Sequence, residues 1–180
     1  MINGDSELTT TIDGGKLDRV FDIKPGALVT LSRMRIINGN EPTNSGGAIA
    51  TDGSLNLQQA VIEKNYAGNA GGGISVGSLG YLYMFLVRVS KNSSGGNGGG
   101  IYSQGTFLQA NYLVLNKNKA GNYGGGLFNT GAPPYIVQAL ITGTRPLLCL
   151  KPVASMTARA ACTCRQSSFL ETTAATTAEE

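Results

Sequence analysis

The sequence predicts an all-β chain: a short right-handed, single-stranded parallel β-helix of about four to five rungs, with an irregular C-terminal tail. Three observations predict it. The first is a recurring glycine motif, Gly46-Gly47-Ala48-Ile49, Gly71-Gly72-Gly73-Ile74, Gly98-Gly99-Gly100-Ile101 and Gly124-Gly125-Gly126-Leu127, whose closing apolar residues are spaced by 25, 27 and 26 residues. The second is a Lys-Asn pair that keeps the same time, at Lys64-Asn65, Lys91-Asn92 and Lys117-Asn118. The third is an apolar pattern of period two that shifts phase midway through each copy. Signals in register over several copies define an internal repeat, and the repeat governs the rest of the reading.

The period excludes helical repeats, because glycine triplets break the amphipathic runs that helices need. The apolar positions read Val29, Leu31, Met34, Ile36, then Leu55, Leu57, Ala60, Ile62, then Leu82, Met84, Val87, Val89. Leu108, Ala110, Leu113, Leu115 follow, and Pro134, Ile136, Ala139, Ile141 form a weaker last copy. Each set reads in, out, in, a corner, then in, out, in, which fits two short strands joined by a bend. Stacking the copies pairs each strand in parallel with its equivalent one rung away, about 4.8 Å along the axis. The full turn supplies the long connection that parallel pairing requires, and the inward residues become columns of a solenoid core.

Residues 1–16 read as a lead-in or partial rung, and residues 17–144 as the repeats. A second glycine series, Gly26, Gly53, Gly80, Gly105 and Gly131, marks the next corner of each rung. Two extra residues around Val76-Gly77-Ser78-Leu79 predict a bulged corner. From 145 to 180 neither Gly nor Asn occurs, and all three cysteines, Cys149, Cys162 and Cys164, lie there. That tail is either a cap over the last open rung or a segment of different origin, such as a shifted reading frame. The cysteines are odd in number, with Cys-Thr-Cys too tight for a usual zinc site.

The Gly-Gly-Ala-Ile element at 46–49 resembles the GGA(I/L/V) motif of polymorphic outer-membrane protein repeats, found in the passenger regions of bacterial autotransporters. The partner motif, Phe-x-x-Asn, is matched by Ile62-x-x-Asn65, Val89-x-x-Asn92 and Leu115-x-x-Asn118, with an aliphatic in place of Phe. The likeness extends over roughly residues 10–144 and to the wider group of β-helix, adhesin-like surface proteins. It implies a pectate-lyase-like β-helix fold and an extracellular or cell-surface setting in a parent protein. It also implies a structural or adhesive role. Two alternatives stay open: a truncated fragment of a polysaccharide lyase or hydrolase, and a gene fragment with no independent function.

Composition narrows the chemistry. Glycine is 26 of 180 residues, roughly double the usual share, and the repeat accounts for it. The net charge of +3 is mild and dispersed, which argues against nucleic acid as a partner. No stretch approaches the roughly 20 apolar residues of a membrane span. The start, Met-Ile-Asn-Gly-Asp-Ser-Glu, lacks a basic region followed by an apolar one, so no signal peptide is visible.

No catalytic residues, metal ligands or cofactor are expected. The glycine runs lead into strands rather than helices, unlike a phosphate loop. Recurring Asp, which glycine-rich calcium repeats require, is missing from the corners. Histidine is absent, and Asp52 and Glu63 are the only acids between 42 and 170. Asn65, Asn92 and Asn118 form an expected structural ladder, bonding amide to amide along the axis. This inward placement also discounts the glycosylation-type triplet Asn92-Ser93-Ser94. Lys64, Lys91 and Lys117 form an outward row that keeps the edge soluble and could meet an anionic glycan. Tyr81, Phe107 and Pro133 fall in one outward column, and Tyr83, Gln109 and Tyr135 in another. Their aromatic rings, about one rung apart, are expected to form a flat strip for a glycan or for a host or other surface protein.

Overall fold

The computed structural model describes residues 1–145 and the backbone of the short strand Cys149–Leu150. The tail expectations for Cys162 and Cys164 lie outside the described residues. The chain is an all-β parallel solenoid of about five turns.

A representative turn starts with the three-residue strand Ile74–Val76, turns through Gly77–Gly80 and enters the ten-residue strand Tyr81–Ser90. It then passes the Lys91-Asn92 corner, adds the two-residue strand Ser93–Ser94 and returns through the glycine loop to Ile101–Ser103. Like strands of successive turns pair in parallel, giving a wide sheet of eight strands, a narrow sheet of six and a corner sheet of four. Leu82, Met84, Val87 and Val89 pair with Leu108, Ala110, Leu113 and Leu115, so the inward columns follow the spacing of the sequence. All eight of these side chains are buried. In the last turn the columns loosen: Ala139 is buried, but Ile136 and Ile141 are only half-buried.

The expected bend lies inside one continuous strand rather than between two. Arg33, Gln59, Leu86 and Tyr112 each take a left-handed backbone, with φ of 53°, 49°, 55° and 58°. One such residue shifts the phase of the alternation, so that Phe85 and Leu86 both face outward before Val87 turns in again. A second left-handed column closes the wide sheet at Asn38, Lys64, Lys91 and Lys117.

The glycine motifs serve two purposes. Gly46, Gly71, Gly98 and Gly124 adopt φ between 62° and 79°, a region where a side chain is costly. The next glycine carries the tighter restraint, since a Cβ on Gly72 would lie 2.2 Å from the Ser93 carbonyl oxygen. The extra residues at Gly77–Gly80 form the expected bulged corner, closed by a 3.0 Å bond from the Gly80 N–H to the Gly77 carbonyl.

Residues at the N-terminus add a split strand to the first full one. Ile2–Asn3 pairs with Leu31–Ser32 and Thr11–Asp13 with Arg35–Ile37, so residues 4–10 arch over the bend at Arg33. At the other end, pairing passes the boundary at 144 read from the glycine pattern. Arg145 bridges to Lys119, and Cys149–Leu150 pairs with Phe128–Asn129.

Candidate functional site

Asn65, Asn92 and Asn118 stack on successive turns, each about 1% exposed. The Asn92 Oδ1 accepts the Asn65 backbone N–H at 3.0 Å and its Nδ2–H at 2.9 Å. The Asn118 Oδ1 accepts the same two groups of Asn92 at 3.0 and 3.2 Å. Each Nδ2 also donates to the carbonyl of an inward residue, Ile36, Ile62 or Val89. Gly39 occupies the first slot and donates its N–H to the Asn65 Oδ1 at 2.8 Å. The opposite slot holds Thr144, whose buried Oγ1 has no partner among the described residues. With its amide groups committed internally, the ladder offers little to a ligand.

Lys64, Lys91 and Lys117 are exposed beside this ladder. Each occupies the left-handed corner just before its Asn, so backbone geometry turns the row outward. That geometry is invisible in the spacing alone.

The outward aromatic columns sit on the first arm of the wide sheet. Tyr81 pairs in register with Phe107, and Tyr83 with Gln109, which in turn faces Tyr135. The Tyr81 and Phe107 rings lie 6.4 Å apart, tilted by 32°. The strip is not one continuous stack, however, because Gln109 separates Tyr83 from Tyr135 by a full rung. A flatter pair lies on the narrow sheet, where Tyr102 and Phe128 are 5.9 Å apart and within 4° of parallel. Tyr123 extends that pair, 6.3 Å from Phe128. The sequence signal for it was available: Tyr102 and Phe128 each follow the apolar residue that closes a glycine motif.

The acidic residues do not assemble a catalytic pair. Asp52 precedes the strand Ser54–Glu63 and Glu63 ends it, so the two lie at opposite ends of a ten-residue strand. Paired carboxylates in glycosidic cleavage sit about 5–9.5 Å apart. Glu63 is buried against Arg35 in an ion pair across adjacent rungs. Among the described residues, no three His, Cys, Asp or Glu side chains are grouped to hold a metal ion.

Glu41 is the best-bonded acid. It accepts bonds from the Thr43 hydroxyl and N–H and from the Asn44 N–H, and pairs with Arg19 at 3.0 Å. Burial pushes its pKa up, but the bonds from Thr43 and Asn44 and the Arg19 charge outweigh that and leave it below the ordinary glutamate value. A depressed folded-state pKa contributes stability above the unfolded value that is lost as pH falls through the folded one. Glu41→Gln should therefore flatten the acid limb of the stability profile, measured by denaturant unfolding from neutral pH downward through the carboxylate range.

A groove of about 470 Å³ follows the bend of the wide sheet, lined by Leu86, Arg88, Tyr112, Val114, Gln138 and Leu140. A smaller stretch of about 240 Å³, sharing Gln59, Leu86, Arg88 and Glu7, continues it toward Arg35. Sequence reasoning placed the bend but not the groove along it, since the side chains that wall the groove are brought together by the backbone dihedrals at the bend.

Comparison with known families gives one match. Residues 87–104 fit the Chlamydia polymorphic membrane protein repeat. The match runs from the second arm of a ten-residue strand, through Val89-x-x-Asn92, to Gly98-Gly99-Gly100-Ile101 and the strand that follows. It thus includes both motif elements whose spacing defines the turn. No curated protein and no solved structure matches the chain. Repeats of this type are typical of autotransporter passenger domains and imply an outer-membrane or surface setting. The chain is accordingly a parallel β-solenoid in which residues 87–104 match the Chlamydia polymorphic membrane protein repeat.

Proposed function

We propose that this chain is a non-catalytic structural or adhesive segment of a larger bacterial cell-surface or secreted protein. Its partner would be a glycan or a host or other surface protein. The repeat match at 87–104 carries the reading. Supporting it, Tyr81, Phe107 and Tyr135 are 49%, 41% and 60% exposed on a sheet face where solvated positions are ordinarily polar. Exposed aromatics give large contact area at low conformational cost. Lys64, Lys91 and Lys117 provide a cationic edge for an anionic partner. The wide separation of Asp52 and Glu63 favours binding over polysaccharide cleavage.

Combining Tyr83→Ser with Tyr135→Ser should leave the unfolding midpoint near that of the parent. The same pair should reduce retention on glycan arrays and host-cell surfaces by tenfold or more, about 1.4 kcal/mol. A folded double variant that keeps full retention would exclude the Tyr83–Tyr135 column as the contact surface.

A further inference from the structure

We infer that the groove along the bend of the wide sheet is a binding site for an acidic sugar, a glycan terminus bearing one carboxylate. The inference rests on the adhesive reading above but concerns a different surface from the aromatic columns.

The first observation is strain. The bend position is filled on four successive rungs by Arg33, Gln59, Leu86 and Tyr112, all at positive φ. Gly or Asn would occupy such a position at least cost, and a bulky residue there is a genuine outlier. Leu86 and Tyr112 nevertheless stay 45% and 51% exposed, so little burial offsets the strain. Tyr112 is held edge-on against Phe85, with centroids 6.0 Å apart and planes at 84°. Strained residues that gain little from packing are characteristic of ligand sites.

Chemistry defines the ligand. At about 470 Å³ the groove falls within the roughly 300–1,000 Å³ of small-ligand sites. Leu86, Val114 and Leu140 form an apolar wall that suits the C–H face of a sugar ring or an acyl methyl group. Gln59 and Gln138 bring amides that both donate to and accept from hydroxyls. Arg88 is exposed between Val61 and Val114. Among the described residues it has no ion pair, whereas Arg35 and Arg19 are both paired with acids. A free guanidinium beside apolar walls is matched by one carboxylate, which it can hold with two parallel bonds. A polyanion would need a row of such cations, which the groove does not offer. Glu7, on the N-terminal arch, is the acid on the groove wall, and its charge opposes an anionic ligand at that end.

Titration of the full chain with sialyllactose, with lactose as the neutral control, tests the site by NMR or calorimetry. Sialyllactose should bind and lactose should bind at least tenfold more weakly. Arg88→Gln should erase that difference, and Glu7→Gln should tighten sialyllactose binding. Leu86→Asn should weaken binding tenfold while the unfolding midpoint holds or rises, an outcome a purely structural leucine would not give. Equal binding of the two sugars, no binding at the highest soluble concentration, or sialyllactose affinity unchanged in Arg88→Gln would each overturn the assignment. Loss of surface retention in the Tyr83/Tyr135 variant alongside a failed titration would leave the adhesive reading standing and remove only this site.

Discussion

Val89→Asp should destabilise the solenoid by about 4–5 kcal/mol, the range reserved for a buried unpaired charge. Val89 has no exposed surface and sits in an inward column between Ile62 and Leu115, themselves fully buried. The aspartate would find no cation there, because the neighbouring inward positions are aliphatic. Its adjacent residue is the control. Arg88 faces outward one step earlier on the same strand, so Arg88→Asp should change stability by no more than about 0.5 kcal/mol. Denaturant unfolding of both variants measures the contrast. Equal midpoints would mean that the register of the wide sheet is wrong.

Asn92→Leu should cost about 3–5 kcal/mol for a different reason. The substitution keeps volume but strands buried groups on the preceding turn, each lost partner costing about 1–3 kcal/mol. The Asn65 N–H loses the acceptor it holds at 3.0 Å, and the Ile62 carbonyl loses a donor at 2.9 Å. Packing adds to the loss, since Gly73 lies directly against this amide. Because a solenoid is stabilised turn by turn through nearest-neighbour contacts, a break at its middle should also lower the cooperativity of unfolding. The ladder makes the opposite forecast at Thr144, the slot after Asn118. Thr144→Asn replaces a buried hydroxyl that has no partner among the described residues by an amide placed to extend the column, and should stabilise by about 1 kcal/mol. Thermal unfolding reads both signs, and a destabilised Thr144→Asn variant would show that the column cannot be extended there.

Both predictions rest on relationships that repeat spacing already contains. In a parallel in-register solenoid, the neighbour of a residue is its counterpart one period away. The spacing of the Gly-Gly-x-Ile and Lys-Asn motifs therefore placed Val89 between Ile62 and Leu115, and Asn92 between Asn65 and Asn118. The same logic located the corner glycines and paired Tyr81 with Phe107.

By itself, then, the sequence determined the fold class, the turn length and the identity of the inward and ladder columns, because these depend only on periodicity and on polarity. Only the tertiary structure decided what happens within a turn. The phase shift was legible in the spacing, but not that a single left-handed residue at Gln59, Leu86 or Tyr112 makes it within one continuous strand. That residue thereby folds the wide sheet into the groove that gathers Leu86, Arg88 and Tyr112. The stacking of Tyr123 on Phe128 likewise joins two residues of one turn around a glycine corner. The ion pair of Arg35 with Glu63 was open to register reasoning, but that Glu7 and Leu8 of the N-terminal arch line the same pocket was not. Spacing specifies neighbours along the axis; the direction in which each corner turns is set by dihedral angles that one-dimensional spacing does not encode.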